Sequence, residues 1–321
     1  MRAASLGRRY EAKQLGNLGK SLAPVEDTYA EVFEGIFCRV ILTAEDEKTV
    51  RASAEGATST PSVVIGRVEG GVERYLTKKE TPDQRFGALL QFWGEVNPAK
   101  TFAESLKKFV TELSYRIRQD ILVKAFTAVF DNLPNAEGML DMMERVGNCG
   151  DGYEWIEKRH GRKVIIVPLM VPDFIIERHL GYAHGITGGN IWLMCQTKEA
   201  LYKAGEKALE AIHRVPGVVT PFNVCSAGSK PETHYPLIGP TTNHLYCPSL
   251  RRKLGFESKV PEGVNYIPEI VINGISMQAV RSAMKAGIEA ARGVEGVVRI
   301  SAGNYGGKLG KYKINLRELF L

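Results

Sequence analysis

The chain reads as an α+β protein assembled twice from one β-α-β-β-α-β order, and three observations support this. Short β-rich runs alternate with helical stretches along most of its length. Residues 200–219 (ALYKAGEKALEAIHRVPGVV) and 279–298 (AVRSAMKAGIEAARGVEGVV) align without a gap, and both end in Val-x-Gly-Val-Val. At 321 residues with 44% hydrophobic side chains the chain can bury two cores of ordinary size. No run approaches the roughly 18 apolar residues of a membrane helix, so a soluble protein that does not span a membrane is expected.

Taken in order, the first twenty residues, MRAASLGRRYEAKQLGNLGK, are basic and lack apolar periodicity. Residues 1–25 are expected to be a disordered basic arm, with an organellar transit segment or a misplaced start codon as the alternatives. Phe37 to Leu42 reads as a strand, Glu45 to about Glu55 as a helix, and Ser62 to Ile65 as a second strand. After Glu80-Thr81-Pro82-Asp83, Phe86 to Trp93 reads as a strand. Phe102, Leu106, Phe109, Leu113, Ile117, Ile121 and Ala125 then step by fours and threes, which predicts one long helix with a core-facing stripe.

In the second half, strands at Ile191 to Gln196 and Glu269 to Ile275 each precede one of the aligned Ala-rich helices. Each helix closes on a glycine and runs into a further strand. Two such β-α-β units, interleaved with right-handed crossovers, make a four-stranded antiparallel sheet with both helices on one face, the ferredoxin-like sandwich. The first half has a comparable order although its segments align poorly with the second. Two ferredoxin-like lobes are therefore expected, 26–172 and 173–321, bordering near Val171-Pro172-Asp173.

Charge and reactive side chains narrow the function. Lys and Arg total 42 against 36 acids, and the balance is local past the arm, so no nucleic-acid surface is predicted. Five cysteines lie far apart without a Cys-x-x-Cys, which favours a reducing cytoplasm. His179 and His184 form the only loosely paired histidine spacing, and no metal site is expected. Asp151 and Tyr153, in Gly-Asp-Gly-Tyr, fit a type I′ turn.

The stretch Ser301 to Lys311, SAGNYGGKLGK, looks at first like a phosphate loop. A Walker loop needs Gly-x-x-x-x-Gly-Lys-Ser/Thr entering a helix. Before the Gly307-Lys308 pair stands Ala302 in place of glycine, and after it Leu309 in place of a hydroxyl. The flanking runs Val297 to Ser301 and Tyr312 to Leu316 read as strands, so a hairpin-like or looped connection is predicted. Its glycines either satisfy positive φ or let a bulky ligand approach bare backbone.

SAGNYGGKLGK followed by Leu316-Arg317-Glu318-Leu319 resembles the C-terminus of formylmethanofuran:tetrahydromethanopterin formyltransferases. Asp27-Thr28-Tyr29-Ala30-Glu31-Val32-Phe33, Glu80-Thr81-Pro82-Asp83, Gly150-Asp151-Gly152-Tyr153, Gly188-Gly189-Asn190, Gly228-Ser229-Lys230, Thr242-Asn243 with Cys247-Pro248, and Glu269-Ile270-Val271 fall in that family's order. Gln84 and Phe86 depart from it, standing where the family usually has Gly and Pro, as do Asn223-Val224-Cys225, Pro231-Glu232 and His244-Leu245. The resemblance implies two ferredoxin-like lobes and a formyl group moved between the amine of methanofuran and N5 of tetrahydromethanopterin. It implies no prosthetic group or metal, the two carriers being substrates. It also implies a homotetramer, with hydrolase-complex subunits as further partners.

Formyl transfer between amines passes through a tetrahedral oxyanion and needs a proton relay, an oxyanion donor and exclusion of water. Glu269, opening a strand after Pro268, matches the glutamate to which the resemblance assigns catalysis. For substrate contact the candidates are Ser229, Lys230, Thr242, Asn243, Gly303, Asn304, Tyr305, Gly306 and Lys308, with Lys311 as a further cation for an acidic tail. The alternative expectation is a non-catalytic paralogue that binds the pterin or methanofuran as a subunit of a larger complex. From topology alone a small-molecule sensor domain is a third reading.

Overall fold

The computed structural model describes residues 22–59, 68–171 and 173–321; the strand expected at Ser62 to Ile65 and most of the basic arm lie outside them. The N-terminal lobe runs β1 (Tyr29–Ala44), α1 (Glu47–Thr58), β2 (Val68–Leu76), β3 (Phe86–Glu95), α2 (Phe102–Arg116) and β4 (Ala128–Asp131). After β5 (Gly138–Asp141), β6 (Trp155–Arg159), β7 (Arg162–Val167) and β8 (Phe174–Glu177) comes β9 (His179–Cys195). It opens the second unit with α3 (Lys198–Ile212), β10 (Val218–Val219), β11 (Ser229–Lys230), β12 (Thr241–Thr242), β13 (Glu269–Gly274), α4 (Met277–Ala291), β14 (Val297–Ser301) and β15 (Tyr312–Asn315).

Both units have the ferredoxin-like strand order. In the first, β4 pairs with β1, β1 with β3, and β3 with β2, all antiparallel. In the second, β14 pairs with β9, β9 with β13, and β13 with β10, again antiparallel. These four helices each start on a side-chain cap: Asp46, Thr101, Thr197 and Ser276 accept from the third helical residue's backbone N–H. The glycines of the two Val-x-Gly-Val-Val segments, Gly217 and Gly296, have φ of 79° and 86°, so the shared ending is a left-handed turn into the next strand.

Two expectations are refined. The long helix is regular only to Arg116 and continues as a π-helical turn, Ile117–Leu122, where the Thr127 hydroxyl takes the Ile121 and Lys124 carbonyls. The lobes also share one sheet, thirteen-stranded among the described residues, because β1 and β9 are long enough to pair with each other from Phe33↔Thr187 to Cys38↔Tyr182. Gly35 and Gly185 face each other there, and the Trp93 ring occupies the space a Cβ on Gly185 would need. As a result β1 serves two cores: Ile36, Cys38, Val40, Leu42 and Ala44 pack with α1 and α2, while Ala30 and Val32 pack with α3 and α4. The Gly150 to Tyr153 segment is a tight turn with φ positive at Asp151 and Gly152 and Tyr153 N–H donating to the Gly150 carbonyl, as its residues predict.

Candidate functional site

Glu269 is the first residue of β13, and its register partner on β9 is Trp192. Directly opposed residues of an antiparallel pair project to the same face. The Trp192 indole N–H donates to Glu269 Oε1 at 2.9 Å. On the other side Cys225 brackets the strand end, its N–H donating to the Glu269 carbonyl at 2.7 Å and its carbonyl accepting the Glu269 N–H at 2.9 Å. Burial pushes the Glu269 carboxyl above the usual range, and the Trp192 and Cys225 side-chain hydrogen bonds only partly oppose it. A carboxyl placed this way exchanges a proton nearer neutral pH than a solvated one.

Trp192 and Cys225 both line a cleft of about 650 Å³, together with Asn223, Gly228, Asn243 and Tyr246. Tyr246 meets the Trp192 ring edge-on at 4.7 Å between centroids. Beside this cleft β11 and β12 form a short hairpin in which Ser229 faces Thr242 and Lys230 faces Thr241. The Thr242 hydroxyl is engaged by the Ala227 carbonyl at 2.9 Å, and the Lys230 ammonium by the Glu232 carbonyl.

The glycine stretch is a looped connection. β14 lies on β9 and β15 on β1, so residues 302–311 cross between strands that do not pair with each other. Both of its stems are fastened. Asn190 accepts from the Gly303 N–H at 2.6 Å and donates to the Gly303 carbonyl at 3.2 Å. The Asn304 amide donates to the Thr28 hydroxyl and the Tyr29 carbonyl. Glu31, 1% exposed, accepts the Leu309 and Gly310 N–H groups. The Tyr305 hydroxyl donates to the Ser229 carbonyl at 3.3 Å. Its phenol is pushed up to about 12 by burial and by the charges of Glu269, Glu31 and Glu232.

Gly303, whose missing Cβ would lie 2.9 Å from the Trp192 ring, lies against the indole that holds Glu269, Tyr305 reaches Ser229, and Asn304 is turned to Thr28 and Tyr29. Gly306 sits at the loop tip with φ of 72°, and Lys308 is exposed there. Lys311 is directed elsewhere, paired with Glu34 at 2.7 Å. Trp192 carries no motif of its own; its signal was only its place in the strand predicted at Ile191 to Gln196. Among the described residues no group of three or more His, Cys, Asp or Glu is arranged to hold a metal ion, and no helix is long and apolar enough to cross a membrane.

A duplicated ferredoxin-like sandwich whose second lobe holds a desolvated carboxyl beside an open cleft defines a class, two-lobed α+β proteins with a ligand-sized cleft in the second lobe. Residues 20–169 match the family described as formylmethanofuran-tetrahydromethanopterin formyltransferase, and residues 172–319 match that family's proximal lobe. The chain belongs to this family. A formyltransferase-like protein of Methanothermobacter thermautotrophicus is 56% identical over 91% of this chain and 96% of its own. The formyltransferase of Methanothermus fervidus is 42% identical over 92% and 98%. Among solved structures, the Methanosarcina barkeri formyltransferase superposes with a TM-score of 0.83 at 38% identity, covering 93% of this chain and 98% of the other. A chain of the formyltransferase/hydrolase complex of Methylorubrum extorquens with methylofuran also gives 0.83, at 29% identity over 92% and 96%.

Proposed function

We propose that this chain moves a formyl group between the amine of methanofuran and N5 of tetrahydromethanopterin, with Glu269 as the proton relay. The observation that carries this is the Glu269 carboxyl, desolvated at a strand end and gripped by Trp192 beside an open cleft. The reaction needs no net proton: N5–H loses one as it attacks the formyl carbon, and the departing nitrogen gains one as its C–N bond breaks. A single carboxylate that takes the first and returns the second closes the cycle. Asn243 and Ser229 are assigned as neutral donors, Thr242, Gly303, Asn304, Tyr305 and Gly306 as the wall of the substrate channel, and Lys230 and Lys308 as contacts for an acidic tail. Incubating the protein with formylmethanofuran and the reduced pterin should yield the 5-formyl product, and Glu269→Gln should abolish it with the fold intact; an active Gln variant removes the assignment.

A second reading, a binding paralogue without transfer, is favoured by one observation. The compared relatives at 52–56% identity are named formyltransferase-like proteins, whereas those named plainly as the enzyme stand at 40–42%. Pterin binding without product would select it. We further assign lobes 26–172 and 173–321, a cytoplasmic location and a homotetramer. Because a structural neighbour comes from a formyltransferase/hydrolase complex, hydrolase subunits are the partners of choice, and sedimentation alone and with such subunits tests both assemblies.

A further inference from the structure

We propose that the N-terminal lobe carries a second ligand site, the counterpart of the Glu269 cleft, which binds a carboxylate on a flat apolar body and transfers nothing. The proposal stands apart from the formyl-transfer reading, because it concerns the other lobe.

A cavity of about 600 Å³ opens between α1 and the ends of β2 and β3. Its position follows from the duplication. α1 and α3 start on the caps Asp46 and Thr197, so counting from the caps Val50 and Arg51 of α1 correspond to Leu201 and Tyr202 of α3. All four residues line the cavity of their own lobe. Each cavity is also closed by the segment that follows its unit's second strand, and by the start of the third strand in the N-terminal lobe or the residues just before it, Asn265 to Pro268, in the other. Where β13 opens with Glu269, β3 opens with Phe86. The acid lining the N-terminal cavity is Glu47, which is exposed at the start of α1 and not desolvated like Glu269. The relay has no equivalent here.

Cations on rings replace it. The Arg51 guanidinium lies 4.2 Å from the Tyr75 ring centroid, and the Lys78 ammonium 4.4 Å from that of Phe86. Neither has a carboxylate partner among the described residues. A guanidinium centred over a ring keeps N–H groups free to donate to a carboxylate, while Tyr75 and Phe86 offer apolar surface to a flat body. The volume is that of ordinary small-molecule sites.

The wall that holds these cations is built, and this gives the Glu80-Thr81-Pro82-Asp83 segment a role. Lys78 and Lys79 ride on the turn Lys78–Glu80. Glu80 accepts the Thr77 N–H at 2.8 Å and hydroxyl at 2.7 Å and pairs with Arg74 at 2.6 Å, contacts that hold its carboxyl at about 2. The Thr81 hydroxyl spans the Lys78 and Arg85 carbonyls, and Asp83 takes the Thr43 hydroxyl at 2.6 Å and Arg85 at 2.8 Å. Gln84, at φ of 59°, accepts a left-handed backbone to complete the turn. These polar ties brace a segment whose exposed cations would otherwise be free to swing into solvent.

Calorimetric titration of the full chain with 2-naphthoate tests the site. One saturable site per chain is expected, with the neutral 2-naphthylmethanol weaker by about tenfold, the worth of one charge-assisted hydrogen bond. Arg51→Gln and Lys78→Gln should each weaken 2-naphthoate, and their combination should weaken it further, with an unchanged melting temperature because both side chains are exposed. Glu80→Gln, which loosens the wall without touching the ligand, should also weaken it, whereas Glu269→Gln should leave it intact. Absence of saturable binding, equal affinity for the neutral analogue, or full affinity in the folded double variant overturns the proposal.

Discussion

Trp192 decides what kind of acid Glu269 is. Its indole N–H is the one strong donor opposing desolvation from across the sheet, so Trp192→Phe should raise the Glu269 pKa further. If the carboxylate takes the first proton, activity falls as pH drops through that pKa, and the acid limb of the rate profile should lie above the usual carboxylate range. Trp192→Phe then moves the limb to higher pH and costs about 1–2 kcal/mol in kcat/KM, roughly tenfold. The linkage has a definite sign. A carboxyl whose folded pKa is raised contributes stability below its unfolded pKa and loses that contribution as pH rises through the folded value. Glu269→Gln should therefore melt no lower than the parent at pH 7, and thermal melts across pH 4–8 check this. Gly303→Ala drives a methyl into the Trp192 ring and should lower transfer more than it lowers the melting temperature.

Among the elements, the Val-x-Gly-Val-Val endings were the most legible feature, because a glycine that closes an Ala-rich helix has few other uses. Gly217 is constrained twice: beyond its φ of 79°, a Cβ would lie 2.7 Å from Ile275. Gly217→Ala should destabilise by about 1–3 kcal/mol, read as a shifted denaturant midpoint at constant slope. The caps Asp46, Thr101, Thr197 and Ser276 went unread, although each lies next to the residues it serves. The glycine stretch between β14 and β15 was legible as a turn, but its anchors were not. Asn190 and Glu31 lie on β9 and β1 and Thr28 just before β1, all more than a hundred residues away in sequence.

At the scale of the whole molecule, the seam between lobes is held by buried polar contacts. Glu73 of β2 accepts from Arg39 Nε and Nη2, the Gln91 amide and the Gly217 N–H that enters β10. Asn273 of β13 bridges Glu69 and the Gly188 N–H. Burial works against the Glu73 carboxylate, yet Arg39, Gln91 and Gly217 together hold it below the usual range. Its stabilisation is present above the unfolded carboxyl pKa and is lost as pH falls through the depressed value, so the seam should loosen below about pH 4. Glu73→Ala should cost about 3–5 kcal/mol by leaving Arg39 without its partner, measured by chemical denaturation.

The sequence by itself determined the order of strands and helices and the glycine turns, which rest on local backbone preference and periodicity, and its short motifs singled out Glu269 through the family they resemble. Only the tertiary structure decided that β1 and β9 fuse the lobes into one sheet, that Trp192 grips Glu269, and that Lys311 faces Glu34 instead of the cleft. Strand register and the pairing of distant side chains depend on which surfaces meet, and a linear pattern records only the surfaces each segment offers.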